Sequence, residues 1–367
     1  MKNFKTVKTI FIAVLLIGTL FSCKDDDPTT PTAAESYQAN IDNIATNVMV
    51  RTYTDLADKA DELLTAAINL QGDVTDVNLD LAKAAWVATR SPWEQSEGFL
   101  YGPADVNGID PAIDSWPVNV VDMQSLLDDT SGFPTITEAI IDAQTDGAKG
   151  FHLIEFLLWG INSNNTVADL STRKLQYLVS ACDNLKKKTA ELRDSWIVTG
   201  DNYVANFTST NGSGNFISES SKIEFIVDGL IGIATEVADT KIEEPLNGTD
   251  GGGVDPTVEE SRFSNNSKID FANNVRSIQN IYLGRFSGND GDGLGLTQIV
   301  ASKNSTLDTR FKQEIQDAID AIDAIPGTFT NAIQNGRMAV KNAQTKVKTV
   351  QETLEATNGI KATLGNL

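Results

Sequence analysis

Cysteine and histidine are almost missing from this chain. Its 367 residues include two cysteines, Cys23 and Cys182, and one histidine, His152. A disulfide scaffold, a Cys-rich zinc site and any zinc site built on several histidines are therefore excluded. Excess positive charge is missing as well. Lys and Arg number 29 against 50 Asp and Glu, a formal net charge of −21. A surface of that sign repels phosphate backbones, so no nucleic-acid partner is expected, and it concentrates cations. There is no methionine-rich or cysteine cluster to suggest copper. Period-two alternation with hairpin turns is absent, so strands are not expected. The one long apolar run, Ile10 to Leu20, is shorter than the roughly 20 residues that a membrane span requires.

What is present at the N-terminus reads as an address. Lys2, Lys5 and Lys8 precede the apolar run, the layout of a secretory signal peptide over residues 1–22. Leu20-Phe21-Ser22-Cys23 resembles a bacterial lipobox, in which Cys23 is lipidated and becomes the new N-terminus. Lys24-Asp25-Asp26-Asp27 resembles the surface-export signal of Bacteroidetes lipoproteins. Pro28-Thr29-Thr30-Pro31-Thr32 then continues a flexible tether over 23–35. The expected location is the bacterial outer membrane, held by lipid at Cys23 and facing the cell surface, with the periplasmic face as the alternative. Cys182 is then left without a partner and is expected to be a small buried hydrophobe.

Nearly everything beyond the tether carries helical periodicity. Tyr37, Ile41, Ile44 and Val48 recur at three-and-four spacing, as do Val340, Ala343, Val347, Val350 and Leu354. Leu178, Ala181, Leu185, Leu192 and Trp196 follow the same rule with one seven-residue step. Each stripe hides one helix face. A stripe through Phe311, Ile315, Ile319 and Ile322 stops at Pro326-Gly327 and the next begins soon after, which predicts a helical hairpin. The expected fold is all-α: two helical-bundle domains of up-and-down helices, 36–207 and 215–367, with a functional cleft at their interface. Thr208 to Gly214 has the composition of the joint. Phe99 to Pro134, dense in Gly, Pro, Asp and Asn, predicts a long functional or wrapping loop, and Asn247 to Asp255 a flexible loop tip.

The chemistry converges on Gly150-Phe151-His152-Leu153-Ile154-Glu155. Residues three apart share a helix face, so His152 and Glu155 point the same way within an apolar segment. A buried glutamate there is costly unless it is paired or holds a cation. On its own the pair fits a hydrogen-bonded core histidine equally well, and bundle metal sites with this spacing collect further carboxylates from other helices. Glu94 and Glu97 are candidates, although singly each reads as a solvated acidic face at a helix end. Asp270, Asn273 and Asn274 offer oxygens in the second half.

The segment also resembles the Gly-x-His-x-x-Glu signature of the imelysin family. Further blocks agree in order: Trp86-x-x-x-Arg90, Trp93-x-x-x-Glu97-x-Phe99-x-x-Gly102-Pro103, Trp116-Pro117, Arg173-Lys174-x-Gln176-Tyr177-Leu178, and Glu260-Ser261-x-Phe263-Ser264 with Asp270 and Asn273-Asn274 behind it. The resemblance runs from about residue 36 to the C-terminus and implies an all-α protein of two related bundles with a site between them. It implies His152, Glu155 and Glu97 as metal ligands, with Arg90, Ser264 and Asp270 lining the same pocket. Three functions follow. The first is a surface lipoprotein that binds iron or another divalent cation in iron uptake, with a transport or surface protein as partner. The second is an imelysin-type metallopeptidase, which the single histidine and the lack of a His-Glu-x-x-His motif argue against. The third is a non-catalytic ligand- or protein-binding module whose His152–Glu155 network is structural.

Overall fold

Apolar stripes at helical spacing decide where the long helices lie. In the computed structural model, residues 36–210, 212, 216–287 and 290–365 are described, and no strand occurs among them. The signal segment, Cys23 and the tether fall outside the described residues. The first stripe spans α1 (Gln38–Asn43), a π-helical stretch (Ile44–Met49) and α2 (Val50–Gly72), with Ile41, Ile44 and Val48 all buried. Thr75 then caps α3 (Asp76–Glu94) by accepting from the Asn78 N–H, one of the donors left over at a helix start.

The segment from Phe99 to Pro134 is not a structureless loop. It folds into α4 (Pro103–Val106), α5 (Ile109–Asp114) and α6 (Val120–Asp128). Ile109, Ile113, Met123 and Leu126 are buried there. Each piece is too short to show a helical period against the surrounding Gly, Pro and Asp, which is why composition reads as loop. After α7 (Glu138–Asp142) comes α8 (Gly150–Trp159), buried nearly all round, and Gly160 at φ 73° ends it. Ser171 caps α9 (Thr172–Trp196), which carries buried Cys182. α9 and α3 both pack on α2, and α8 packs on α3 and α9.

The short α10 (Ala205–Thr208) leads to α11 (Glu219–Glu236), a second π-helical stretch (Val237–Ile242) and α12 (Glu243–Asn247). Then follow α13 (Ser267–Leu283), α14 (Leu296–Lys303) and α15 (Ser305–Asp323). The predicted helical pair around Pro326-Gly327 is present as α15 and α17 (Arg337–Glu355), which pack together, but a further short helix, α16 (Phe329–Asn335), fills the connection. The chain closes with α18 (Ile360–Gly365). The described residues from Tyr37 onward form one compact unit, in which α13 packs against α3 and α11 against α17. The α3–α13 contact brings the polar residues of the two sequence halves together.

Candidate functional site

Gly150 explains the start of the Gly-x-His-x-x-Glu segment. It has φ 74°, a conformation that L side chains rarely adopt, and a Cβ there would lie 2.4 Å from the Ile113 carbonyl oxygen. The bare backbone thus lets α8 abut the end of α5, so the residue after Ile113, Asp114, reaches His152. Trp86, whose Nε1 donates to the Phe151 carbonyl at 2.9 Å, holds the same turn against α3.

The imidazole has carboxylates on both sides. Nδ1 lies 3.1 Å from Glu155 Oε2, and Nε2 lies 3.1 Å from Asp114 Oδ1. The second contact has the distance of an ion pair without the direction of a hydrogen bond. Glu155 Oε1 accepts from both the backbone N–H and the hydroxyl of Ser264, each at 2.7 Å. Glu155 therefore has its oxygens committed to Ser264 and His152, and it orients the ring. Asp114 Oδ2 accepts from Trp93 Nε1 at 2.6 Å, while Oδ1 is paired with Arg90.

Arg90 is completely buried and forks between Asp114, Glu94 and Glu260, with Glu260 Oε1 at 2.9 Å and Asp270 Oδ1 3.6 Å from its Nε. A second buried cation, Lys241, stands 2.9 Å from Glu97 Oε2, 3.0 Å from Glu260 Oε1 and 3.6 Å from Glu94 Oε2. Asn274 Nδ2 donates to Glu94 Oε2 at 2.6 Å and Glu97 Oε2 at 3.0 Å, which ties α13 to the end of α3. Asp270 accepts from Asn266 at 2.7 Å.

Charge is unbalanced in this cluster. Glu94, Glu97, Asp114, Glu155, Glu260 and Asp270 are buried together with only Arg90 and Lys241 as fixed cations. Burial raises Asp114, but Arg90 and His152 outweigh it and hold the carboxyl well below the usual range. Burial pushes His152 down, and its contacts with the Asp114 and Glu155 carboxylates reverse that, to about 9. Burial raises Glu97 against the pull of Lys241, and raises Asp270 to about 6 against Arg90. Lys241, despite burial, is held charged by Glu260 and Glu97.

Asp110, one turn before Asp114, shows the same crowding. Burial first, then Asp114 and Glu236, raises it to about 7. An acid whose folded pKa exceeds its unfolded one favours the folded state while protonated; that stability is lost as pH climbs from the unfolded pKa through the folded one. Asp110→Asn is thus expected to match the wild type below pH 4 and to be more stable by about 2 kcal/mol at pH 8. Urea unfolding at the two pH values checks this; an equal effect at both would show that Asp110 is not an anion under strain.

The structure therefore brings together His152, Glu155 and Ser264 in one group and Arg90 with Asp270 beside it. Glu97 belongs to the Lys241 end, not to the imidazole. Glu94, read as a solvated acid at a helix end, is fully buried because α13 covers the last turn of α3. Asp114, Glu260 and Lys241 are missing from the sequence-based set. Asp114 lies in the segment singled out as functional, two residues before Trp116-Pro117, and Glu260 opens a quoted block, so both had a signal. Lys241 had none: Asp239-Thr240-Lys241-Ile242-Glu243 reads as a solvated charged face.

Ligand atoms of Asp114, His152 and Glu260 lie within 4.8 Å of one another, as do oxygens of Glu94, Glu97, Asp114 and Glu260. Ions bound at about 2.0–2.2 Å place their ligands at such separations. His152 Nε2 and Glu260 Oε2 are buried without a hydrogen-bond partner. The donor chemistry fits a hard or borderline divalent cation at Asp114, His152 and Glu260. It does not form a Ser-His-acid arrangement, since both ring nitrogens face carboxylates and the Ser264 hydroxyl donates to Glu155.

An all-helical body with a buried His–carboxylate–arginine cluster assembled from both sequence halves defines a class, and comparison with known proteins agrees. The imelysin family profile matches residues 49–357. The chain is 32% identical over 345 residues to "Iron-regulated protein A" of Synechococcus elongatus, covering 92% of this chain and 89% of that one. Its fold is similar to the crystal structure described as an iron-regulated protein A precursor from Parabacteroides distasonis, with TM-score 0.79, 24% identity, and 91% and 97% of the two chains covered. It is also similar to that of an imelysin-like protein from Psychrobacter arcticum, with TM-score 0.71, 14% identity, and 88% and 95% covered. The chain belongs to the imelysin family.

Proposed function

We propose that this protein binds a divalent metal ion, iron as its cargo, at Asp114, His152 and Glu260. The observation that carries the reading is the excess of buried carboxylates over buried cations around one histidine, with Glu260 Oε2 left without a hydrogen bond and His152 Nε2 held only by its 3.1 Å contact with Asp114. Buried anions without counter-charge are costly, and a cation of two charges offsets that cost. Glu155, braced by Ser264, fixes the ring so that Nε2 faces Asp114, the role of a carboxylate behind a ligating histidine. Arg90 holds the Asp114 carboxyl below its usual range and pairs with Glu260, keeping both in place. The iron-regulated naming of a relative 32% identical supports iron as the ion.

The lipobox-like Leu20-Phe21-Ser22-Cys23 and the acidic run behind it support a lipid-anchored protein at the bacterial outer membrane, its metal passed to a transport or surface partner. Among the described residues no helix is long and apolar enough to cross a membrane.

The test is elemental mass spectrometry of residues 24–367 after anaerobic equilibration with ferrous iron and, separately, zinc. One equivalent of iron is expected in the wild type. His152→Gln and Glu260→Gln, with helicity intact, are expected to weaken binding 10- to 100-fold. Equal trace metal in all three would replace this reading with a structural His-Glu network.

A further inference from the structure

Two donor sets overlap in this site. Asp114 and Glu260 belong both to the set with His152 and to the set with Glu94 and Glu97. Adjoining sets that share carboxylates are the layout by which proteins hold two metal ions about 3.5–4 Å apart. The two sets differ in what they already contain. In the His152 set, Nε2 and Glu260 Oε2 lack hydrogen-bond partners. In the other, the Lys241 ammonium sits 2.9, 3.0 and 3.6 Å from oxygens of Glu97, Glu260 and Glu94. From these contacts we infer that Lys241 fills the place of a second cation, so that the centre accepts one metal ion and not two. The inference rests on the metal-binding reading of the same site.

The backbone at Lys241 supports the assignment independently. Lys241 lies in the π-helical stretch Val237–Ile242, which interrupts the helix running from α11 into α12. Such stretches recur at functional positions, where they re-aim a side chain. Asp239 in the same stretch is exposed and Glu243 just after it is half-buried, whereas Lys241 is buried. Its ammonium also lies 5.3 Å from the Trp116 ring centroid, so an aromatic face and three carboxylates close around one charge. A lysine is one strongly hydrated point charge, which suits a cation's place better than the planar fork of an arginine. Asn274 holds Glu94 and Glu97 together on the far side.

Lys241→Met keeps the bulk and removes the charge. In anaerobic titration with manganese(II) alone, followed by gel filtration and elemental analysis, the wild type is expected to retain one equivalent and Lys241→Met two. The variant is also expected to melt below the wild type in chelator and to recover more than the wild type on adding manganese. One equivalent in the wild type and one in a folded Lys241→Met alike would overturn the inference. Glu97→Gln covers the case in which that variant fails to fold. It removes an oxygen from the Lys241 set only, so its one-site affinity is expected within about 3-fold of wild type while Glu260→Gln loses at least 10-fold. A Glu97→Gln loss as large as that of Glu260→Gln would also overturn it. The two readings separate cleanly. No metal in the wild type but one equivalent in Lys241→Met would defeat the metal-carrying function and keep the role of Lys241, and no metal in either would defeat both.

Discussion

Arg90→Met is expected to destabilise the protein by about 3–5 kcal/mol, the usual cost of removing one partner from a buried ion pair. Three carboxylates lean directly on this guanidinium, and none of Arg90, Glu94 and Glu260 exposes its side chain at all. Without it, Asp114 and Glu94 must be protonated or left as buried anions, and Lys241 is already committed to Glu97 and Glu260. Urea unfolding with an unchanged m-value is the measurement. Arg90→Lys is expected to recover only part of the loss, because a single ammonium cannot bond in three fixed directions. A loss under 1 kcal/mol for Arg90→Met would show that the carboxylates are neutral in the folded protein and that the charge excess is not real.

Gly150→Ala is the second large effect, expected at about 3 kcal/mol. Two causes add: a positive φ disfavoured for any L side chain, and a Cβ placed 2.4 Å from a backbone oxygen that cannot rotate away. The displaced segment is the one that ends in Asp114. Metal retention by the folded fraction is therefore expected to fall at least 10-fold, although Gly150 touches no ligand. Gly232→Ala is the control. That glycine is in α11, and a Cβ there meets nothing within 4 Å, so the change is expected to stabilise by about 0.5–1 kcal/mol. If Gly150→Ala unfolds at the same urea concentration as wild type, the close approach of α8 to α5 is not what positions Asp114.

The helices were readable wherever a stripe ran for four turns or so. Tyr37 to Val48, Leu178 to Trp196 and Val340 to Leu354 each lie on a helix with the stripe buried. Short helices were not. α5 has six residues between Gly108 and Ser115, and its burial of Ile109, Ala112 and Ile113 depends on α8 and α9 covering it. Composition cannot report that cover. Glu94 was misjudged for the same reason: a carboxylate at a helix end is solvated unless another helix lies over it, and α13 does.

By itself the sequence determined the helical class, the family, and the pairing of His152 with Glu155. All of these rest on local spacing or on motif order, and a three-residue step along a helix brings two side chains together whatever the rest of the chain does. The company of that pair was decided only by tertiary structure. Asp114 reaches His152 because Gly150 lets two backbones touch. Glu260 reaches Arg90, and Lys241 reaches Glu94, because residues more than a hundred positions further along the chain return to α3. Whether an acidic or basic side chain is buried depends on what covers it, and no local pattern carries that information.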